Sequence, residues 1–323
     1  MEKVPKIDTK KAAESAKKAA ESAKESAKKA AESAKKLLRI APQPEEKGEG
    51  FLPSSFSRWV NVGKKTGYNA HDYEKYGGKR KVLVLCTDQK YVEMKNGNRF
   101  STGNNPIETM LPMMHFQEAG IDFDICTPTG APVALEMWAL PEQDTPVQEF
   151  FKANYSRFQT PIALGGIVYT LKDDSPYIGV FIPGGHGAMN LGIPENADIG
   201  KLLEFVHKND LFLITLSHGP AALLSLSNTR PHPYQGYSIA TFPDITEKML
   251  TSVGFLPGSI PWSVAQYLEV LEITIANKRA AGMVKKDRKF LSGDGPKAAN
   301  ALGKLAVDCI LDEIHALELT WLN

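Results

Sequence analysis

Leu211-Phe-Leu-Ile-Thr-Leu-Ser-His-Gly-Pro-Ala-Ala-Leu-Leu224 passes from an apolar run into small helix-compatible residues, with no room for a loop between them. A short apolar run of this kind reads as a strand buried on both faces, as in a covered parallel sheet. Ser217 then stands on the strand-to-helix turn itself, as a nucleophile elbow requires. Its side chain is thrust out at the sheet's edge, and the backbone N–H of His218 points at whatever it attacks. Gly219, Ala221 and Ala222 let helix and strand approach closely. The same residues also fit a serine that merely caps a helix, and this segment alone does not choose between the two.

On either side of this segment strand-like and helix-like stretches alternate. Strands are expected at Lys81–Cys86, Phe123–Cys126, Gly179–Ile182, Leu211–Leu216 and Tyr237–Thr241. Helices are expected at Pro106–Ala119, Ile199–Lys208, His218–Leu226 and, closing the chain, Pro296–Glu313. This order builds an α/β fold, a parallel sheet covered by helices, over residues 81–323. Its active site belongs at the C-terminal ends of the strands.

Residues 1–41 are a different material. They carry twelve Lys/Arg and six Asp/Glu, a net +6, against −5 for the rest. The unit Ala-Ala-Glu-Ser-Ala-Lys recurs at 12, 19 and 30, and Ala, Glu and Lys are strong helix formers. Glu14–Lys18 and Glu32–Lys36 are favourable i,i+4 pairs. The mixed seven- and eleven-residue spacing keeps alanine on one stripe of a nearly straight helix. Alanine buries too little area for a firm coiled coil. The expectation is a helical low-complexity tail, either solvated or surface-binding, similar in composition to late-embryogenesis-abundant repeats. Leu37, Leu38 and Ile40 could anchor its end. Residues 42–80, rich in Pro, Gly and polar residues, read as a linker and wrapping arm whose aromatics pack onto the main domain.

Composition is that of a globular protein, 42% hydrophobic and 23% charged. No apolar run approaches a membrane span, and the first residues lack the apolar stretch of a secretory signal. Three scattered cysteines (Cys86, Cys126, Cys309) suggest neither a disulfide framework nor a zinc knuckle. A reduced, cytoplasmic protein is expected. Nucleic-acid binding has little support, because the only basic excess alternates with glutamates.

Two further segments carry chemistry. Phe181-Ile-Pro-Gly-Gly-His-Gly187 follows a buried strand, and its adjacent glycines, Gly184 and Gly185, could supply N–H groups to an oxyanion. A structural turn fits as well; a phosphate loop does not, since no Gly-Lys-Ser/Thr follows. In Asn105-Pro-Ile-Glu-Thr-Met-Leu111, Glu108 opens an otherwise apolar helix. It is either a partner of the helix dipole or a buried acid with a raised pKa that trades a proton.

Together these segments resemble the PfpI/DJ superfamily. The pattern is strand-Pro-Gly-Gly-His-Gly, then strand-Leu-x-(Cys)-His-Gly-Pro-Ala, with a Glu after the first strand. Gly-Tyr-Ser at 236–238, Phe-Pro-Asp at 242–244 and Lys286-Asp-Arg-Lys-Phe-Leu-Ser-Gly-Asp-Gly-Pro296 extend it. Within the superfamily, residues 51–316 are similar to the branch of thirty-one-kilodalton heat-shock chaperones, glyoxalase III enzymes and protein deglycases. The resemblance implies a flavodoxin-like, class I glutamine-amidotransferase-like sheet and a homodimer. It also implies a stress-related activity on glyoxal and methylglyoxal, giving lactate without a cofactor, and on glycated proteins. The branch's triad of nucleophile, adjacent His and acid falls on Ser217, His218 and Glu247, with Asp244 as the other candidate acid. Glu108 takes the place of the carboxylic acid beside the nucleophile. Gly184, Gly185 and His186 fall on the oxyanion and substrate side.

Two departures stand out. The family has a nucleophilic cysteine where this chain has Ser217, and an alcohol needs a well-aligned base where a thiol ionises readily. A nucleophile-deficient glyoxalase III scaffold is therefore expected, through deliberate replacement or natural loss. The branch's two-His, one-carboxylate metal site falls on Gln117, Asp122 and Asn154, and amides are poor zinc ligands. No metal is expected, and His115, His186 and His232 read as hydrogen-bonded histidines. A holding chaperone for unfolded chains, needing no nucleophile, is the alternative; proteolysis is less favoured.

Overall fold

Residues 9–37 and 40–321 are described by the computed structural model. The apolar runs form a seven-stranded sheet: β1 (Lys81–Leu85), β2 (Asp122–Thr127), β3 (Ile162–Ala163), β4 (Tyr177–Ile182), β5 (Phe212–Leu216), β6 (Val284–Asp287) and β7 (Phe290–Gly293). Their spatial order is β6-β7-β5-β4-β1-β2-β3, parallel throughout except for β6, which pairs antiparallel with β7. Alternate residues feed two cores, because a strand's side chains point to opposite faces. Val82, Val84, Phe212, Ile214 and Leu216 join one, and Leu83, Leu85 and Leu213 the other. Sequence and structure agree on an α/β sheet between helical layers.

The nine helices are α1 (Thr9–Leu37), α2 (Ser55–Asn61), α3 (Pro106–Glu118), α4 (Thr145–Gln159), α5 (Leu164–Thr170), α6 (Ala197–Lys208), α7 (Asp244–Ser252), α8 (Val264–Val270) and α9 (Ala299–Trp321) among the described residues. Helices α3, α4 and α9 bury apolar faces in the first core, and α5, α6 and α8 in the second. Helix α3 starts where Asn105 accepts the N–H groups of Ile107 (3.0 Å) and Glu108 (3.3 Å), with Pro106 at its first position. Inside it, Pro112 has no N–H to offer the Glu108 carbonyl.

Several expectations need correction. The helix expected at His218–Leu226 is a 3-10 helix, Gly219–Leu226. The strand expected at Tyr237–Thr241 shrinks to Ser238–Ile239, paired with Thr274–Ile275 in a separate two-stranded sheet. The closing helix starts after a 3-10 turn at Pro296–Ala298. Within residues 42–80, Gln43–Pro44 and Phe51–Leu52 add strands to a hairpin of Tyr91–Glu93 and Arg99–Ser101. Tyr73 is buried and Tyr68 and Tyr76 pack against the first core, but Phe56 and Trp59 of α2 are exposed.

Most of the described side chains of α1 are in solvent, and Glu25–Lys29, at 3.9 Å, is its described i,i+4 ion pair. The Glu32–Lys36 pair and the anchor residues Leu37 and Leu38 lie outside the described side chains. Ile40 is described: its carbonyl comes so close to Gly254 that only a glycine fits there. No described helix is long and apolar enough to cross a membrane.

Candidate active site

The end of β5 delivers Ser217 into a backbone conformation that L-residues avoid, with φ +57°. Such a conformation costs about 1–2 kcal/mol and must be held by its surroundings. Here the Ser217 N–H donates to the Gly293 carbonyl (2.8 Å), and its carbonyl accepts from Phe242 N–H (3.0 Å) and Thr241 Oγ1 (2.7 Å). The corner is therefore a strained elbow rather than a simple cap. Ser217 is 1% exposed and lines a cavity of about 320 Å³.

Two walls face each other across Ser217. One comes from the loop after β4 and the start of α3. A Cβ on Gly184 would lie 2.2 Å from Glu108 Oε2 and 2.5 Å from Ser217 Cβ, so only a glycine lets carboxyl and serine meet. Glu108 is 2% exposed, and its pKa is raised to about 8. Burial is the main cause and the nearby Glu136 carboxyl adds to it, while the Ser217 hydroxyl, His186 and the Gly185 N–H oppose it. Near neutrality Glu108 is mostly a carboxylic acid.

The second wall combines the loop after β4, the residue after the elbow and the first turn of α7. Ser217 Oγ lies 3.3 Å from His218 Nδ1, and His218 Nε2–H donates to Glu247 Oε1 at 2.9 Å. His186 Nε2–H donates to the same oxygen at 3.0 Å. Burial works against the Glu247 charge, yet the two imidazoles hold its carboxyl well below the usual range. Burial likewise opposes a charge on His186, but Glu247 outweighs it and raises its pKa. His218 goes the other way, lowered by burial and by the neighbouring His186. Glu247 is thus ionised, and His218 is a neutral imidazole whose Nδ1 lone pair faces the serine.

The structure places the expected residues as follows. Ser217, His218, Glu108, Gly185 and His186 line one cavity, and Glu247 stands directly behind the two imidazoles. Asp244, the other candidate acid, makes no hydrogen bond to His218. Its carboxylate accepts from Ser263 Oγ (2.6 and 2.7 Å) and Gln266 Nε2 (3.1 Å), beside a second cavity that Glu247 also lines. His186, expected on the oxyanion side, spends its Nε2–H on Glu247 instead. Among the described residues the backbone N–H of His218 has no acceptor, which leaves it free for a developing oxyanion.

His186, His218 and Glu247 are also the described residues whose donor atoms could converge on a metal, all within 4.8 Å of one another. In this structure both imidazole N–H groups donate to one oxygen of Glu247. Of Gln117, Asp122 and Asn154, the last two share a cation: the Arg157 guanidinium reaches Asn154 Oδ1 (3.4 Å) and Asp122 Oδ1 (3.5 Å). His115 is held between Tyr73 Oη (3.0 Å) and Asn300 Oδ1 (2.9 Å), and His232 beside the Leu223 carbonyl.

Sequence reasoning missed Glu136. It is buried, accepts from Thr102 Oγ1 (2.6 Å) and Asn105 Nδ2 (3.0 Å), and lines the cavity with Glu108. The signal that marked Glu108, a lone acid in an apolar stretch, was present in Val133-Ala-Leu-Glu-Met-Trp-Ala-Leu140 too. Aromatic neighbours were also unread: Phe242 stacks on His218 (4.9 Å, 29°) and Phe100 meets His186 edge-on (5.3 Å).

No protein-family model matches the chain. Among curated proteins it is similar to the protein/nucleic acid deglycase HchA of Escherichia coli O139:H28 (strain E24377A / ETEC), at 43% identity over 262 residues, 81% of this chain and 92% of that protein. HchA of Escherichia coli O157:H7 matches with the same identity and coverage. Among solved structures, the Rapid Encystment Protein 24 kDa of Francisella tularensis superposes with a TM-score of 0.60 at 20% identity, covering 72% of this chain and 99% of that one. Glyoxalase III from Candida albicans gives 0.54 at 20% identity, covering 71% and 97%. At such identities the two structures speak for the fold.

Proposed function

We propose, from the premise that this chain belongs to the family of the HchA protein/nucleic acid deglycases, that its cavity receives small dicarbonyls such as methylglyoxal and glyoxal, or their early adducts on proteins. In this reading the nucleophile at 217 adds to the aldehyde carbon, the His218 N–H receives the oxyanion, and Glu108 carries a proton between adjacent carbons. Water then releases a 2-hydroxy acid. The observation that carries it is the buried Glu108 carboxyl packed with Ser217 against Gly184, where burial raises its pKa to about 8. A proton carrier works best when its pKa lies near the working pH.

The weak point is the alcohol. A serine adduct of an aldehyde forms less readily than a thiol adduct, so in this reading the chain with Ser217 turns methylglyoxal over slowly. The test is lactate formation from methylglyoxal, followed by proton NMR, for this chain and Ser217→Cys. A large gain on substitution that is lost again with Glu108→Gln supports the reading. No gain, or a gain indifferent to Glu108, overturns it.

A second reading, a holding chaperone, is favoured by one surface feature. Ile245, Met249 and Val253 form an exposed i, i+4, i+8 stripe along α7 and its end. Trp59 and Val60 of α2 are exposed beside it, where Ser57 Oγ donates to the Val253 carbonyl. Suppression of aggregation that is equal in this chain and Ser217→Cys, and reduced by Trp59→Ser with Met249→Ser, would favour it.

A further inference from the structure

The Ser217–His218–Glu247 arrangement reaches beyond aldehyde chemistry. An alcohol is a poor aldehyde trap, but it is the usual nucleophile of acyl transfer when a neutral base is in contact with it and an ionised acid fixes that base. All three conditions hold here. The hydroxyl is 3.3 Å from an imidazole nitrogen, the opposite nitrogen donates to a buried carboxylate at 2.9 Å, and the strained elbow presents Oγ to a cavity. His186 donates to the same carboxylate oxygen and keeps the acid anchored.

From this geometry we propose that this chain is a serine acyl hydrolase, with Ser217 as nucleophile, His218 as general base and Glu247 as its orienting acid, acting on esters of short acyl groups. Ser217 Oγ bonds to the acyl carbon while its proton passes to His218 Nδ1. The carbon–alkoxy bond breaks, and that proton leaves with the alcohol. Water then gives a proton to His218 Nδ1 as its oxygen bonds the acyl carbon. The Oγ–carbon bond breaks, and Oγ recovers the proton. The net reaction is ester plus water to acid plus alcohol, with no other reactant. The anionic oxygen of each tetrahedral state faces the unpaired His218 N–H and the Glu108 carboxyl, a neutral donor.

The cavity sets the substrate class. Its volume of about 320 Å³ and its walls of Val62, Trp138, Leu250 and Phe255 accept a short apolar acyl chain. Glu108 is not the base in this scheme. The proposal therefore stands or falls separately from the dicarbonyl reading, which concerns lactate made by Ser217→Cys.

The experiment treats the full chain with a serine-directed fluorophosphonate and locates the adduct by peptide mass spectrometry. In parallel, hydrolysis of p-nitrophenyl acetate and butyrate is followed. The expected result is a single adduct on Ser217, and turnover of acetate and butyrate well above that of Ser217→Ala. Ser217→Ala should abolish labelling, and His218→Ala should slow it about 10²–10⁴-fold. Because His218→Ala could disturb packing, His218→Gln with an unchanged thermal midpoint serves as the second variant and should slow labelling comparably. A folded chain that carries no adduct at Ser217, or hydrolyses acetate no faster than Ser217→Ala, overturns the proposal. So does labelling that is indifferent to both His218 variants.

Discussion

Glu108 and Glu247 stand on opposite walls of one serine, each in the first turn of a helix and each at most 4% exposed, yet they titrate in opposite directions. Burial pushes both carboxyls up; the facing Glu136 carboxyl adds to it and takes Glu108 to about 8, whereas two imidazole N–H bonds overcome it and hold Glu247 well below its ordinary value. Depth is shared and helix position is nearly shared, so neither explains the difference. The partners do. Two carboxyl groups pushed apart in pKa around a nucleophile divide acid from base at a single pH.

The sharpest way to test that division is to change the group between the walls. Ser217→Cys should raise lactate formation from methylglyoxal by about 10²-fold or more, since a thiol neighbouring a neutral imidazole ionises far more readily. Breaking the ionised wall comes next. Glu247→Ala leaves His186 and His218 without their shared acceptor. It should cost about 3–5 kcal/mol in denaturant unfolding, as removing one partner of a buried pair does.

The pH dependence of stability should separate the walls. Glu247, with its pKa depressed in the fold, adds stability that is present above about 4.5 and lost as pH falls. Glu108 behaves oppositely: raised from 4.5 to about 8, it favours the fold fully below 4.5, and that contribution drains away as pH climbs through 8. Chemical denaturation from pH 3 to 9 should therefore show a loss of stability below about 4.5 that Glu247→Gln flattens and a decline between about 4.5 and 8 that Glu108→Gln flattens. Identical profiles for both variants would contradict the contrast.

A smaller shift should follow Glu136→Gln. Removing the facing carboxyl lets Glu108 ionise at lower pH, so the alkaline limb of lactate formation in the Ser217→Cys background should move toward neutrality. The smallest effect is expected far from both walls. Deleting residues 1–37, whose described side chains lie mostly in solvent, should change unfolding free energy by no more than about 0.5 kcal/mol.

Local pattern made much of this legible. The apolar runs ending at Cys86, Cys126, Ile182 and Leu216 announced the sheet, because strands covered on both faces must be apolar throughout. Glu108 was legible for the complementary reason, as a charge-bearing residue in a stretch that had to be buried. Glu136 carried the same mark and was overlooked because it lies outside any expected helix or strand. The exposed Phe56 and Trp59 were misjudged, since an apolar ring in a loop segment does not say whether anything covers it.

The residues along the chain put Ser217 on the turn, since an apolar strand running into Ser-His-Gly-Pro leaves the serine no other place; its backbone conformation in the fold made that turn a strained elbow rather than a cap. They also determined the α/β class and the separate character of the first 41 residues. Tertiary structure alone decided which acid serves His218. Asp244 and Glu247 are three positions apart on α7, and the helix's rotation against the loop after β4 turns one toward Ser263 and the other toward two imidazoles. It also decided the sign of each titration, because a carboxyl's pKa follows from the groups that packing sets against it, and those arrive from distant parts of the chain.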